Sequence, residues 1–367
     1  MTFQRNIDTT VLLLAITLTC IGVVMVYSSS AIMAAEKFND GFYFLKRQLV
    51  YTLVGFLLMA GATYFNYQNW RKLAVITLFG SILLLSLLFV PGLGVRVGGA
   101  LRWLRLPGFN LQPAELVKLG LVLYLAHSLT RKKEMVRSFV KGYLPYMIIL
   151  CVLLLLLLKQ PDLGSAMIIA GVALSMLIVA GVRWFYVLAT LIAAMPALYY
   201  LVMTVEYRRR RIMAFLDPWD DPFDTGFQII QSLVAFGKGG VFGQGLGVGQ
   251  QKLFYLPEAH TDFIFSVIGE ELGLVGVLVV AGLFLMLVLC GIRISLQCDD
   301  PFGRNLAFGL SLLLGLEAFV NLAVCMGLLP TKGLALPFIS YGGTSLVVCL
   351  IAVGILLNIS NSLQDKR

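Results

Sequence analysis

The stretch Tyr255-Leu-Pro-Glu-Ala-His-Thr-Asp-Phe-Ile-Phe-Ser-Val-Ile-Gly-Glu-Glu-Leu-Gly273 leads into an apolar run that continues to Cys290. It places one carboxylate, Asp262, at the mouth of that run and two more, Glu270 and Glu271, inside it. Phe263–Cys290 is long enough to cross a hydrocarbon core of ~30 Å, which takes roughly 17 to 25 residues. Ionisable groups in such a segment are costly and by default mark a functional site that faces a bundle interior or a cavity. Asp262, Ser266, Glu270 and Gly273 recur at near-helical spacing, so the expectation is one polar stripe facing a cavity.

Working outward, the whole chain shares this character. Its residues are 59% hydrophobic and only 13% charged, with a mean hydropathy of +0.90. A soluble domain carries about a quarter charged residues, so that class is excluded. We read ten spans: Val11–Met33, Leu49–Phe65, Leu73–Val90, Pro113–Thr130, Tyr143–Leu158, Leu163–Val182, Phe185–Val205, Phe263–Cys290, Leu306–Leu329 and Ser345–Ile359. They are uniformly apolar rather than alternating, which fits helices and not a transmembrane barrel. The fold class expected is an all-α polytopic membrane protein of one domain, residues 1–367, with an outer loop over about 204–262. The first span follows Arg5 but lacks the cleavage site of a signal peptide.

Ten spans put both termini on one side, and basic residues choose the side. With the termini in the cytoplasm, the inner segments hold 13 Lys or Arg: Arg5, Arg71, Lys72, Arg131, Lys132, Lys133, Arg137, Lys141, Arg183, Arg293, Arg304, Lys366 and Arg367. The short outer loops hold eight and the long outer loop six. That outer surplus calls for a cause, and an anionic ligand supplies one. The six cysteines form no CxxC pair, and the four tryptophans fall at or just outside span ends, as interfacial anchors do.

Three outer segments exceed what a connector needs: Pro91–Gln112, Thr204–Asp262 and Pro330–Thr344. The long one starts with Glu206-Tyr-Arg-Arg-Arg-Arg-Ile-Met-Ala-Phe-Leu216, read either as a snorkelling interfacial helix or as a phosphate clamp. Seven glycines crowd into residues 237–249. Without a preceding strand or a P-loop Lys-Ser/Thr, they read as a tight re-entrant loop rather than a nucleotide loop. Glu115 and Lys118 open the fourth span at i, i+3 spacing, Asp162 stands where it would cap the sixth, and Glu317 lies midway along the ninth. Glu115, Lys118, Lys159, Asp162 and Asp262 all fall near one membrane face, as a site would require.

Several of these stretches form longer motifs. Gln112-Pro-Ala-Glu-Leu-Val-Lys118, Lys159-Gln-Pro-Asp-Leu-Gly164, Asp217-Pro-Trp-Asp-Asp-Pro-Phe223, the run from Gln231 to Gly249, Pro257-Glu-Ala-His-Thr-Asp-Phe-Ile-Phe265 and Ile339-Ser-Tyr-Gly-Gly343 closely resemble the SEDS family of bacterial cell-wall polymerases (shape, elongation, division and sporulation). The resemblance spans nearly the whole chain. Met25-Val-Tyr-Ser-Ser-Ser30 and Ala259 are similar to the division and sporulation branches more than to the elongation branch.

The resemblance implies polymerisation of lipid II into glycan strands at the outer face of the bacterial cytoplasmic membrane, at the division septum. It also implies a class B penicillin-binding transpeptidase as partner, other division proteins and membrane lipid around it, no organic cofactor and no nucleic acid. It assigns the essential acid to Asp262, as base toward the acceptor hydroxyl or as ligand of a divalent cation, Mg or Mn. Glu115 and Lys118 would shape the cavity's field. Arg208 to Arg211, with Arg208 and Arg210 foremost, Lys159 and Lys332 would contact phosphates, and Asp162 and His260 would complete the substrate site. Two other readings stand beside this one: a lipid II flippase or proton-coupled transporter, and a scaffold that recruits a transpeptidase.

Overall fold

The computed structural model describes residues 8–97, 100–106, 109–132, 135–251 and 256–364. Arg5, Lys133, Lys252, Tyr255, Lys366 and Arg367, named or counted above, lie outside them. Each expected span is a helix: α1 Thr9–Phe38, α2 Tyr43–Tyr64, α3 Tyr67–Leu87, α4 Pro113–Arg131, α5 Leu144–Lys159, α6 Leu163–Val179, α7 Trp184–Met203, then α10 Ile264–Gln297, α11 Pro301–Cys325 and α12 Gly343–Gln364. Among the described residues eight helices are long and apolar enough to cross a membrane. The other two expected spans are α4, which carries Glu115 and Lys118, and the 17-residue α6; both are largely buried. The protein is a multi-pass membrane protein.

Local chemistry sets the helix ends. Asp8 caps α1, its carboxylate accepting from Thr10 N and Val11 N at 3.1 and 3.3 Å. Asp300 caps α11 through Gly303 N at 2.9 Å, with Pro301 in the first turn. Helices α11 and α12 form the buried centre of the bundle, whereas α7 buries only Val187 and turns its remaining faces outward.

One segment adds strands to the all-α bundle, and another fills the expected long loop with helices. Three strands form an antiparallel sheet of order β1-β2-β3: β1 Gly94–Val97, β2 Ala100–Leu106 and β3 Phe109–Leu111. Leu101-Arg-Trp-Leu-Arg-Leu106 does not alternate with the strict two-residue period of a half-buried strand and is too short for a membrane span, so neither pattern announces it. The long loop contains two helices, α8 Glu206–Leu216 and α9 Phe227–Gly239.

The three acids of the opening stretch have separate fates. Helix α10 is broken at Gly273, whose φ of 67° is left-handed. A break at membrane depth strands backbone groups that lipid cannot satisfy, so protein must supply their partners. The glycine-rich loop does so. Gln244 N and Gly245 N donate to the carbonyls of Glu270 and Glu271 at 2.9 and 3.0 Å, and Leu274 N and Val275 N donate to those of Gly240 and Val241 at 2.9 and 3.2 Å. The buried Glu270 carboxylate accepts from Gln250 N and Gln251 N, and Glu271 accepts from the Ser28 hydroxyl at 2.7 Å. Ser266 is bonded to Ser232 of α9. The expected polar stripe is therefore not a cavity wall: below Asp262 it is a satisfied internal network.

A Cβ on Gly273 would come within 2.3 Å of Gly243 N, whereas one on Gly282 of the same helix meets nothing within 4 Å. Gly273→Ala is expected to cost about 2 kcal/mol or more, while Gly282→Ala leaves the thermal midpoint of the detergent-solubilised protein nearly unchanged. Equal midpoints for the two variants would contradict the paired break.

Candidate active site

Asp262 stands two residues before α10, half-buried in the wall of a cavity of about 1160 Å³. Its backbone is fixed from three sides. Asn321 Nδ2 donates to the Asp262 carbonyl at 2.9 Å and to that of Leu334 at 2.7 Å. Tyr341 N donates to the His260 carbonyl at 3.0 Å, and the Ser340 hydroxyl donates to that of Thr261 at 2.5 Å. The turn closes through Phe263 N and Thr261 N onto the Glu258 carbonyl, with Glu258 itself held left-handed at φ 56°. Such strain outside glycine clusters at sites that need a particular geometry.

Two guanidiniums face this carboxylate. Arg102 sits where the pairing of β2 with β1 slips by one residue, a bulge that re-aims a side chain, and it lines the cavity with Nη2 donating to the Pro161 carbonyl at 3.4 Å. A Cβ on Gly333 would lie 2.7 Å from Arg102 Nη1 and 3.1 Å from Asp262 Oδ2, so a bare backbone there lets both groups crowd one point. Arg211, on α8, lies 4.4 Å over the Tyr207 ring and donates to the Thr331 carbonyl at 3.1 Å. Burial pushes the Asp262 carboxyl up to about 7; the Glu258 carboxylate adds to the push and Arg102 and Arg211 oppose it. Lys332, on the same rim, is pushed down to about 8 by burial. His260 lines the cavity with its ring 4.7 Å from Phe44 and 5.8 Å from Tyr341, and burial lowers its pKa, which favours the neutral ring.

Of the residues singled out in the sequence, Asp262, Glu115, His260, Lys332 and Arg211 line this one cavity. The others sit elsewhere. Lys118 is buried behind Glu115, donating to Glu115 Oε1 at 2.8 Å and to Glu317 Oε1. Asp162 is buried as the cap of α6, accepting from Ser165 N and the Ser165 hydroxyl, with Arg102 Nη2 3.8 Å away. Lys159 is exposed, 5.0 Å over the Phe89 ring. Arg208 donates to the Leu201 and Leu158 carbonyls, and Arg210 pairs with Glu206 on the exposed side of α8. Helical spacing spreads the four arginines around α8, and Arg211 is the one that faces the cavity. The glycine-rich loop does not line it either; its backbone is committed to the α10 break.

Arg47 and Arg102 also line the cavity and were not singled out. Their only sequence signal was the surplus of basic residues in the outer loops, which names no individual.

The Glu115–Lys118–Glu317 group joins α4 to α11 with two carboxylates around one ammonium, all buried. Removing one member of such a group leaves uncompensated buried charge and costs about 3–5 kcal/mol. Lys118→Met is expected to lower the thermal midpoint strongly, and Lys118→Met combined with Glu115→Gln and Glu317→Gln to recover most of that loss. A triple variant no more stable than the single one would contradict this account.

The model of the cell cycle protein family FtsW/RodA/SpoVE matches residues 8–365. A probable peptidoglycan glycosyltransferase FtsW of Geobacter sulfurreducens is 62% identical over 357 residues, covering 97% of this chain and 96% of its own. Stage V sporulation protein E of Bacillus subtilis is 40% identical over 98% of both chains. Among solved structures, a chain of a peptidoglycan synthase complex that coordinates polymerization and crosslinking superposes with a TM-score of 0.80 at 31% identity over 98% of both chains. The rod shape determining protein RodA of Thermus thermophilus superposes with a TM-score of 0.72 at 28% identity, again over 98% of both.

Proposed function

The chain belongs to the FtsW/RodA/SpoVE family of cell cycle proteins and is a peptidoglycan glycosyltransferase, and from that premise we propose that it polymerises lipid II at the outer membrane face with Asp262 as the base. The observation that carries this reading is a half-buried carboxylate, its pKa raised to about 7, between Arg102 and Arg211 in a cavity at the end of a membrane helix. Lipid II presents its sugars on an undecaprenyl pyrophosphate, so the enzyme must keep an apolar tail in the bilayer while the sugars react at the surface. A bundle roofed by β1–β3 and α8 meets both demands.

In the step we propose, the 4-hydroxyl of the acceptor sugar attacks the anomeric carbon of the donor. The new C–O bond forms as the bond from that carbon to the pyrophosphate oxygen breaks, and the electron pair leaves with the lipid pyrophosphate. The hydroxyl proton passes to Asp262. A base with a pKa near the working pH combines availability with driving force, and the two arginines offer preorganised charge to the departing phosphate. The neutral His260 ring, set among Phe44 and Tyr341, offers a surface for a sugar.

Among the described residues no three His, Cys, Asp or Glu side chains cluster to hold a metal. The donor set suits a Mg²⁺ or Mn²⁺ held by Asp262 and Glu258 together with pyrophosphate oxygens, not an all-protein cage. Bound there, the ion would neutralise charge on the leaving group.

We further propose a septal location, cytoplasmic termini, and an FtsI-like class B penicillin-binding transpeptidase as partner among other division proteins. The likeness to one chain of a peptidoglycan synthase complex supports the partner. The test is polymerisation of purified lipid II, alone and with a cognate transpeptidase. Asp262→Asn is expected to lose at least about 100-fold in rate. The wild-type rate is expected to rise with pH through a limb near 7, and Arg211→Gln to move that limb upward, because Arg211 favours the ionised carboxylate. Lipid crossing without polymer by the wild-type protein, or full polymer from Asp262→Asn, would overturn the proposal.

A further inference from the structure

The cavity has a second basic pole that the proposed step leaves unused. Arg47, near the start of α2, lines the cavity on the wall built by the α1–α2 junction. It is set apart from the charges that act on Asp262, which are those of Glu258, Arg102, Arg211 and Asp162. Its guanidinium lies 4.5 Å over the Tyr43 ring and against the Tyr341 phenol. Among the described residues no carboxylate comes within 4.0 Å of it. Its neighbours orient the planar fork without neutralising it, as a phosphate site requires.

The chemistry of the reaction calls for such a second site. When two molecules of lipid II are first joined, donor and acceptor each carry a lipid pyrophosphate. The donor's leaves beside Asp262. The acceptor's stays attached, at the end of its disaccharide opposite to the 4-hydroxyl that attacks. A productive complex thus needs two phosphate holders with a disaccharide between them. The lining runs in that order: His260 stands two residues before Asp262, its ring lies 5.8 Å from that of Tyr341, and Arg47 is hydrogen-bonded to the Tyr341 phenol.

We infer that Arg47, oriented by Tyr43 and Tyr341, holds the retained pyrophosphate of the acceptor lipid, while Arg102 and Arg211 face the departing one. The assignment rests on the glycosyltransferase reading above. It makes Arg47 a determinant of acceptor affinity and leaves the chemical step to Asp262.

The test couples a donor-only lipid II, blocked at its sugar 4-hydroxyl, to an acceptor-only analogue whose anomeric oxygen is replaced by methylene so that its phosphate cannot leave. The product is one tetrasaccharide. In Arg47→Gln, loss of a charge-assisted phosphate contact is expected to raise the half-saturating acceptor concentration about tenfold, with the donor value and the rate at saturation within twofold of wild type. Arg47→Lys, which keeps the charge but not the fork, is expected to fall between. An acceptor analogue that ends in a methyl glycoside, without pyrophosphate, should be used equally by wild type and Arg47→Gln. Overturning results are a change in the donor value alone, no change in either value, or an equal penalty on the methyl glycoside. If the wild-type protein makes no tetrasaccharide at all, the glycosyltransferase reading itself fails. Coupling that is indifferent to Arg47 sinks the acceptor site alone.

Discussion

Broken backbone inside a membrane must find its hydrogen bonds within the protein, and this one constraint organises the half of the molecule that holds the cavity. Helix α10 breaks at Gly273, and a loop of glycines comes close enough to bond on both sides of the break. Gly243 and Gly239 are needed for that approach, since a Cβ at either would fall within 2.1 Å of an α10 carbonyl. Glu270 then gathers the amides at the end of the loop, and Ser232 of α9 ties to Ser266 and to the Cys325 carbonyl. The first two turns of α10 become a short, braced segment. Asp262, the proposed base, rides at the end of that segment, on rigid structure, while the elements around it carry the arginines.

That placement sets function against stability. A carboxylate that is partly removed from water and has another acid beside it would be easier to fold if neutral, yet in the proposed role of base it must be ionised. The protein accepts this conflict at Asp262 and resolves it elsewhere. Glu115 and Glu317 meet in Lys118, Asp162 caps a helix beside Arg102, and Glu270 and Glu271 are bonded to the loop and to α1. Buried acids with partners hold the bundle together, and the half-buried one, facing open space and two guanidiniums, is the one free for the proposed chemistry.

The sequence made the membrane helices plain because length and apolarity are local properties, and all ten expected spans have their helix. Helix ends shifted by a few residues, since caps such as Asp8 and Asn39 lie beyond the apolar core of the run. The three strands and the placement of Arg102 in the cavity were not legible, because Ala100–Leu106 does not alternate and the aim of Arg102 depends on a slip in the strand pairing. The site was half legible. Asp262 stood out as a charge at a span mouth within a recognisable motif, and Glu115 and His260 came with their motifs. Arg208, Arg210 and Arg211 are equivalent as letters; only the rotation of α8 against the bundle separates the one that faces the cavity from the two that do not. Spacing suggested a stripe from Asp262 to Gly273, but periodicity cannot reveal that a loop 20 to 30 residues earlier occupies the groove below the first turn.

The most direct test of the account is the pH dependence of folding stability in the wild type and in Asp262→Asn. Burial and Glu258 raise the folded pKa from 3.8 to about 7, so the carboxyl's contribution is fully present below about 4 and is lost as pH rises through the folded value. Thermal midpoints measured across this range are expected to show the asparagine variant gaining on the wild type from pH ~4 to ~7 and then holding a constant lead. A difference that stays flat across that window would mean an ordinary solvated acid, one that favours the wild type as pH rises would mean a carboxylate held down by its arginines, and either would contradict a carboxyl raised by burial to serve as the proposed base.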